Sequence, residues 1–355
     1  MSHLHQPLQI GDLKLSNRII MAPLTRVRAG PTHVPNELMA EYYSQRASAG
    51  LIFTECSMVD SAASAFMGEA GIYSDEHVAA WRKVTDAVHA KGGLIAMQIW
   101  HPGRATHADI NAGAEPVSSS AVPIRDASTA TPTGKHPYPT PRALQIEELP
   151  AVVAQFRQAA HRAKQAGFDG VQLHGAHGYL LDQFLRDSVN QRNDAYGGSI
   201  ENRARLLFEV MDAVIEVWGR QRVGVRISPL VDFNDISDSQ PAALLSYVLE
   251  QCQARNIGYF ELRHDQWDRP AEMELAKLAR GLFSGALLLN GGFDGASGEA
   301  AVADGRADAI VYGKSFISNP DLVERIRLDA PLNAFNPKTF YSPGPAGYID
   351  YPSLA

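Results

Sequence analysis

The sequence predicts an α/β protein built as a single (β/α)8 barrel, and three observations carry that prediction. Eight short apolar runs alternate with longer helical patterns almost from end to end. Most of the runs are continuously apolar, as expected of parallel strands covered on both faces. No shift in composition divides the 355 residues, and single barrels routinely run past about 250 residues.

The first run starts near Arg18 (RIIMAPLT), and Pro35 and Asn36 then introduce a helical pattern over 36–49. The second starts near Leu51 (LIFTEC) and leads to a helix over 75–90. The third, near Leu94 (LIAMQIW), precedes a helix over 147–166. After the fourth, near Gly170 (GVQLHG), Ser199 and Glu201 signal a helix over 199–218. The fifth, near Val223 (VGVRISP), leads to a helix over 241–255. The last three begin near Tyr259 (YFELRH), Ala286 (ALLLNGG) and Ala309 (AIVYGKS). Gly92, Gly167 and Gly258 follow helices, where a left-handed cap is favoured. The intervals between strand starts are uneven, so the repeat is architectural.

Two segments depart from this rhythm. Residues 100–146 hold seven prolines and many Ser and Thr residues. A linker inside one barrel is uncommon, so the segment is predicted to be an active-site cap after strand three, with a small hairpin. The tail from Asn333, with FYSPGPAGYIDYPSL, is rich in aromatics and is expected to be ordered against the barrel. The whole chain, 1–355, is therefore expected to be one domain.

Composition narrows the function classes. The chain carries 39 acidic and 32 basic side chains, a net charge of −7, without the basic balance of a nucleic-acid binder. Its two cysteines, Cys56 and Cys252, are too few for a disulfide framework or a four-thiolate iron–sulfur site. The first ten residues lack a signal-peptide pattern, and no window approaches ~20 consecutive apolar residues. The expectation is a soluble cytoplasmic protein, a monomer or small homo-oligomer, binding neither nucleic acid nor membrane.

A parallel barrel collects its functional groups at the carboxyl ends of its strands. Read in order, those ends are Pro23-Leu24-Thr25, Glu55-Cys56, Gln98-Ile99-Trp100 and His174-Gly175-Ala176-His177, then Arg226, Arg263-His264, Asn290-Gly291-Gly292 and Gly313-Lys314. Gly291 and Gly292 allow a turn that exposes backbone N–H groups, Gly313 does the same one strand later, and Lys314 adds charge. Barrels bind phosphate through these two loops. Either turn alone reads as a strand terminus; both together point to phosphate. His174 and His177 lack metal-site spacing and obvious carboxylate partners, so no metal is expected. Their favoured use is a pair of N–H donors on one substrate oxygen, with plain packing as the alternative. Tyr179 is neutral at pH 7 and reads equally as a proton donor or as an aromatic cover for the barrel mouth.

At HGAHGYLLDQFLRDSVNQRNDAYGGSIENRARLLFEV (His174 to Val210) the chain resembles the old yellow enzyme family of flavin-dependent ene-reductases. Within it, the bacterial branch of N-ethylmaleimide, pentaerythritol tetranitrate and morphinone reductases looks nearest. The resemblance extends through NRIIMAPLTR, NELMAEYYSQRASAGLIFTE, QIWHPGR, VGVRISP, ISNPDL and YIDYPSL, and is weakest in the middle segment. It implies one barrel holding noncovalent FMN at its carboxyl face, with NADPH or NADH as reductant. By motif, Pro23, Leu24 and Thr25 would lie against the flavin ring, Cys56 would supply the contact from the second strand, and Gln98 would bond the pyrimidine edge. Arg226 would stand near N1 and O2, with Gly291, Gly292, Gly313 and Lys314 around the phosphate. His174 and His177 would polarise the carbonyl or nitro oxygen of an activated alkene while Cβ takes hydride from flavin N5. Tyr179 would protonate Cα, with Phe66, Trp100 and Tyr341 walling the pocket. A flavin-binding ligand sensor is the alternative.

The chain departs from the family pattern at several positions. Gly313-Lys314 stands where Gly-Arg is usual, which removes a planar fork from the phosphate. Cys56 replaces a small residue, a change read mainly as packing. Phe66 replaces a tyrosine, and Arg263-His264 suggests an anionic substrate or a particular nicotinamide phosphate.

Overall fold

The computed structural model describes residues 2–354. Eight parallel strands form a closed ring: β1 (Ile19–Met21), β2 (Leu51–Phe53), β3 (Ile95–Trp100), β4 (Gly170–Gly175), β5 (Val223–Ile227), β6 (Tyr259–Arg263), β7 (Ala286–Asn290) and β8 (Ala309–Tyr312). Each pairs with the next, and β8 pairs with β1. The principal outer helices are α1 (Glu37–Gln45), α2 (Asp75–His89), α3 (Leu149–Gln165), α4 (Ile200–Trp218), α5 (Pro241–Arg255), α6 (Pro270–Leu282), α7 (Gly295–Ala303) and α8 (Leu322–Leu328).

Alternation along the strands separates two cores. Val225, Ile227, Phe260, Leu262, Leu287 and Leu289 point outward and meet the helices. Ile20, Leu51, Phe53, Ala96, Tyr259, Leu288, Ala309 and Val311 fill the barrel interior. An antiparallel hairpin, Leu8–Ile10 with Leu13–Leu15, packs Ile10, Leu13 and Leu15 against that interior core. The periodicity of two thus decides which side chains reach the barrel axis.

The starts of α1 and α4 follow the sequence signals, and α2 has a cap, Ser74, that the sequence reading did not single out. The side chains of Asn36, Ser74 and Ser199 cap α1, α2 and α4 by accepting from backbone N–H groups in the first turn. Gly92 and Gly167 have positive φ as expected. Gly258 does not; the left-handed cap of α5 is Asn256, at φ +52°. Gly258 answers a close approach instead, because a Cβ there would lie 2.4 Å from the Gln221 carbonyl oxygen. A short helix, Leu180–Leu185, directly follows the HGAHGY turn and was not signalled by the helical patterning.

The excursion after β3 holds an antiparallel hairpin, Ser128–Thr131 with Gly134–Pro137, and a short parallel pairing of Val117–Ser118 with Arg142–Ala143. The tail packs on the barrel, as expected, with a 3-10 turn at Pro337–Thr339 and a second turn in which the Tyr348 and Ile349 N–H groups donate to the Pro345 carbonyl. Three arginines hold it. Arg26 donates to the carbonyls of Phe340 (3.1 Å) and Gly347 (2.7 Å). Arg28 donates to those of Phe340 and Thr339, each at 2.8 Å. Arg46 lies 3.8 Å over the Tyr42 ring, which stacks on Tyr348.

Replacing Arg28 with Met should leave part-buried tail carbonyls without a donor, at a cost of about 1–3 kcal/mol. Urea unfolding should record that loss, and limited proteolysis should cut within 333–354 sooner than in the parent. A tail equally resistant in both proteins would refute the clasp.

Candidate active site

The inward columns of β3 to β7 carry polar groups above the apolar interior. Strand pairing sets His174 beside Arg226 and Arg226 beside Glu261. It also sets Gln98 beside Gln172 and Arg263 beside Asn290. Arg226 Nη2 donates to Asn290 Oδ1 at 2.8 Å, and its Nε stands 3.3 Å from Glu261. All of these except Arg263 are buried.

Above this layer opens a cavity of about 440 Å³, within the usual range for small-molecule sites, about 300–1,000 Å³. Pro23, Leu24, Thr25, Phe66, His177, Tyr179, Lys314 and Tyr341 line it. Trp100 and His174 stand directly behind that lining. The Trp100 ring is 4.5 Å from Tyr179 and 6.1 Å from Phe66, and His174 is 4.9 Å from Tyr179 and 5.5 Å from His177. From the excursion, Ile124 and Tyr138 join the cluster of Cys56, Trp100 and Tyr179.

The turn after β4 explains the histidine geometry. His177 has φ +58°, an uncommon conformation for a non-glycine residue. Its N–H donates to Ser228 Oγ (2.9 Å), and its carbonyl accepts from Asn234 Nδ2 (2.9 Å), so both flanks of the turn are tied to the segment after β5. The Ala176 N–H donates to His174 Nδ1 (3.3 Å), which leaves the proton of a neutral His174 on Nε2. Burial, then the charge of Arg226, lowers His174 to about 3. The same two causes, burial first, hold His177 well below the ordinary histidine value. Burial pushes Tyr179 well above the ordinary phenol value. Two neutral imidazoles and a neutral phenol therefore meet in one place.

Cys56 is buried against this cluster, with Sγ 3.0 Å from Thr25 Oγ1. Burial raises its thiol far above the usual range, so the environment is that of a packed side chain rather than a reactive thiolate. The neighbouring Glu55 is buried and pushed up to about 7 by desolvation.

Gly291 and Gly292 adopt φ +139° and +80°. A Cβ on Gly291 would strike the His264 carbonyl oxygen at 2.5 Å, while the space beyond Gly292 is open. Among the described residues, the N–H groups of Gly291, Gly292 and Gly313 donate no turn or loop hydrogen bond to the backbone. Lys314 is exposed beside them.

The Arg263-His264 pair divides. Arg263 points inward, lines the cavity and keeps Nη1 buried without a partner among the described residues. His264 points outward to Glu272, 2.5 Å away, so it takes no part in the cavity. Sequence reasoning did not single out Arg26, Phe233 and Phe340, which also line the cavity. Arg26 and Phe340 neighbour predicted residues, whereas Phe233 lies in a loop with no motif to mark it.

Comparison with known proteins agrees with this architecture. The model of the NADH:flavin oxidoreductase / NADH oxidase family matches residues 3–333. The chain is 49% identical to a probable flavin mononucleotide-dependent alkene reductase of Leishmania infantum, over 98% of this chain and 97% of that one. It is 44% identical to 12-oxophytodienoate reductase 1 of Oryza sativa subsp. japonica, covering 98% and 92% respectively. A structure of morphinone reductase in complex with tetrahydroNAD superposes with a TM-score of 0.96 at 43% identity, covering 100% of this chain and 98% of that one. An old yellow enzyme homologue from Zymomonas mobilis superposes at 0.95 with 41% identity, covering 99% of each chain. Barrel, strand ends and relatives agree: the chain is an oxidoreductase of the NADH:flavin oxidoreductase / NADH oxidase family, an old yellow enzyme homologue.

Proposed function

We propose that this protein is an FMN-dependent NAD(P)H:alkene oxidoreductase acting on activated C=C bonds of α,β-unsaturated carbonyl or nitro compounds. The observation that carries the reading is the meeting of three neutral side chains at one cavity, which His177 and Tyr179 line while buried His174 stands directly behind them.

The residues fit the cofactor. The N–H groups of Gly291, Gly292 and Gly313, with Lys314, suit the phosphate, and the open space at Gly292 leaves room for it. Pro23, Leu24, Thr25 and Cys56 would contact the ring, with Gln98 and Arg226 at its pyrimidine edge. FMN, when bound, supplies the hydride. His174 Nε2–H and a ring N–H of His177 bind the carbonyl or nitro oxygen and draw electron density from Cβ. Tyr179 O–H delivers the proton to Cα. Phe66 and Tyr341 position the substrate's apolar part, Trp100 backs Phe66 and Tyr179, and 100–146 caps the cavity through Ile124 and Tyr138. NADH or NADPH and the alkene use the same space in turn, so the kinetics are ping-pong.

Purified protein should be yellow and should oxidise NADPH faster when 2-cyclohexenone or N-ethylmaleimide is added. A colourless protein that takes up no FMN would sink the proposal. Replacing Tyr179 with Phe should slow alkene reduction by reduced enzyme about 10²-fold, with a much smaller effect on its reduction by NADPH. Equal losses in both half-reactions would contradict the proton-donor role.

The pH profile is a separate check. His174 is held at about 3 and Tyr179 far above neutrality, so neither changes charge between about pH 6 and 9. Glu55, at about 7, does. Glu55→Gln should therefore leave the alkene half-reaction flat across that range. A step near pH 6.5 that survives this change would show that a site histidine charges during turnover.

A further inference from the structure

The barrel layer beneath the cavity contains a fully buried carboxylate, Glu261, that the chemistry above does not use. Barrel interiors are normally filled by branched apolar side chains, and an ionised group there is costly unless paired. Glu261 is paired twice. Its Oε1 lies 3.3 Å from Arg226 Nε, and its Oε2 accepts from Gln172 Nε2 at 2.7 Å. Gln172 Oε1 in turn accepts from Gln98 Nε2 at 2.8 Å. One buried chain, Arg226–Glu261–Gln172–Gln98, thus links the two side chains read above as contacts to the flavin pyrimidine edge.

The chain has a direction. An ionised carboxylate only accepts, so Gln172 must turn its NH2 toward Glu261 and its carbonyl toward Gln98. Gln98 must then turn its NH2 toward Gln172, and among the described residues its own carbonyl accepts no hydrogen bond. At the other end the carboxylate offsets the guanidinium of Arg226. The charged groups facing Glu261 are Arg226 and, more weakly, Arg263; no second carboxylate takes part in the chain.

We propose that Glu261 is a positioning residue for the flavin: it partly neutralises Arg226 and, through Gln172, fixes which edge of the Gln98 amide faces the cofactor. This rests on the flavin reading of the site and deepens it. A positive charge beside the pyrimidine favours the reduced, anionic flavin. Compensation by Glu261 therefore lowers the potential of the bound cofactor, making it a readier hydride donor and a slower acceptor from the nicotinamide.

The test is the equilibrium of the FMN-loaded protein with a reference dye of known potential. Glu261→Gln should shift that equilibrium toward reduced flavin by at least tenfold, about 30 mV for a two-electron couple. The NADPH half-reaction should accelerate and the alkene half-reaction slow. Glu261→Asp keeps the charge but withdraws it by one methylene; it should shift in the same direction by less, and it carries the test if the Gln variant does not fold. A loss of thermal stability with an unchanged potential, or a shift toward oxidised flavin, overturns the inference and leaves the flavin reading intact. Wild-type protein that takes up no FMN overturns both.

Discussion

Strand register at the barrel mouth is the constraint on which the rest of this molecule depends. Because β4, β5 and β6 pair in parallel, His174, Arg226 and Glu261 stand side by side on adjacent strands. A one-residue slip would turn that strand's set of side chains away from the axis and onto the helices. The apolar residues between them, Val225, Ile227, Phe260 and Leu262, are buried against the outer layer and make such a slip expensive. These four side chains therefore hold the polar inner row in place, although none of them lines the cavity.

Burial then sets the chemical state of that row. The same desolvation that lowers His174 and His177 raises Tyr179, so one physical cause yields three neutral donors. Arg226 works with desolvation at the histidines, since a neighbouring positive charge disfavours a second. Arg226 is itself anchored by Asn290 and balanced by Glu261. An unpaired cation in this layer would be strongly destabilising, so the positive charge that suits a flavin ring depends on the carboxylate beneath it.

Much of this was legible in the sequence, for a definite reason. Apolar runs that stop abruptly at Gln98, His174, Arg226 and Asn290 mark strand ends, and a closed parallel barrel has only one face where such ends gather. Alternation also contained the answer for Arg263 and His264: adjacent residues on a strand face opposite ways, so only one of them can reach the axis. What remained hidden depends on contacts between distant segments. Nothing local in Arg26, Arg28 or Arg46 indicates that they clasp a tail some 300 residues away. Nor does anything around Gly258 reveal that the Gln221 carbonyl crowds it while Asn256 supplies the left-handed cap.

The division between strand ends and loops has a consequence for evolution of the site. His174, Arg226, Glu261 and Asn290 sit on β4 to β7, locked by register, and His177 and Tyr179 follow on the turn after β4, whereas the walls come from separate excursions: Ile124 and Tyr138 after β3, Phe233 after β5, and Phe340 and Tyr341 from the tail. Loop residues tolerate exchange far better than paired strand residues do. The tail is joined to the chemistry through Arg26, which follows Thr25 and donates to the Phe340 carbonyl. A change in the tail can therefore be felt at β1 as well as at the rim. Substrate range should drift through Phe66, Phe233 and Tyr341 while Arg226 and Glu261 stay fixed, because loss of either would leave the other buried without its charge partner.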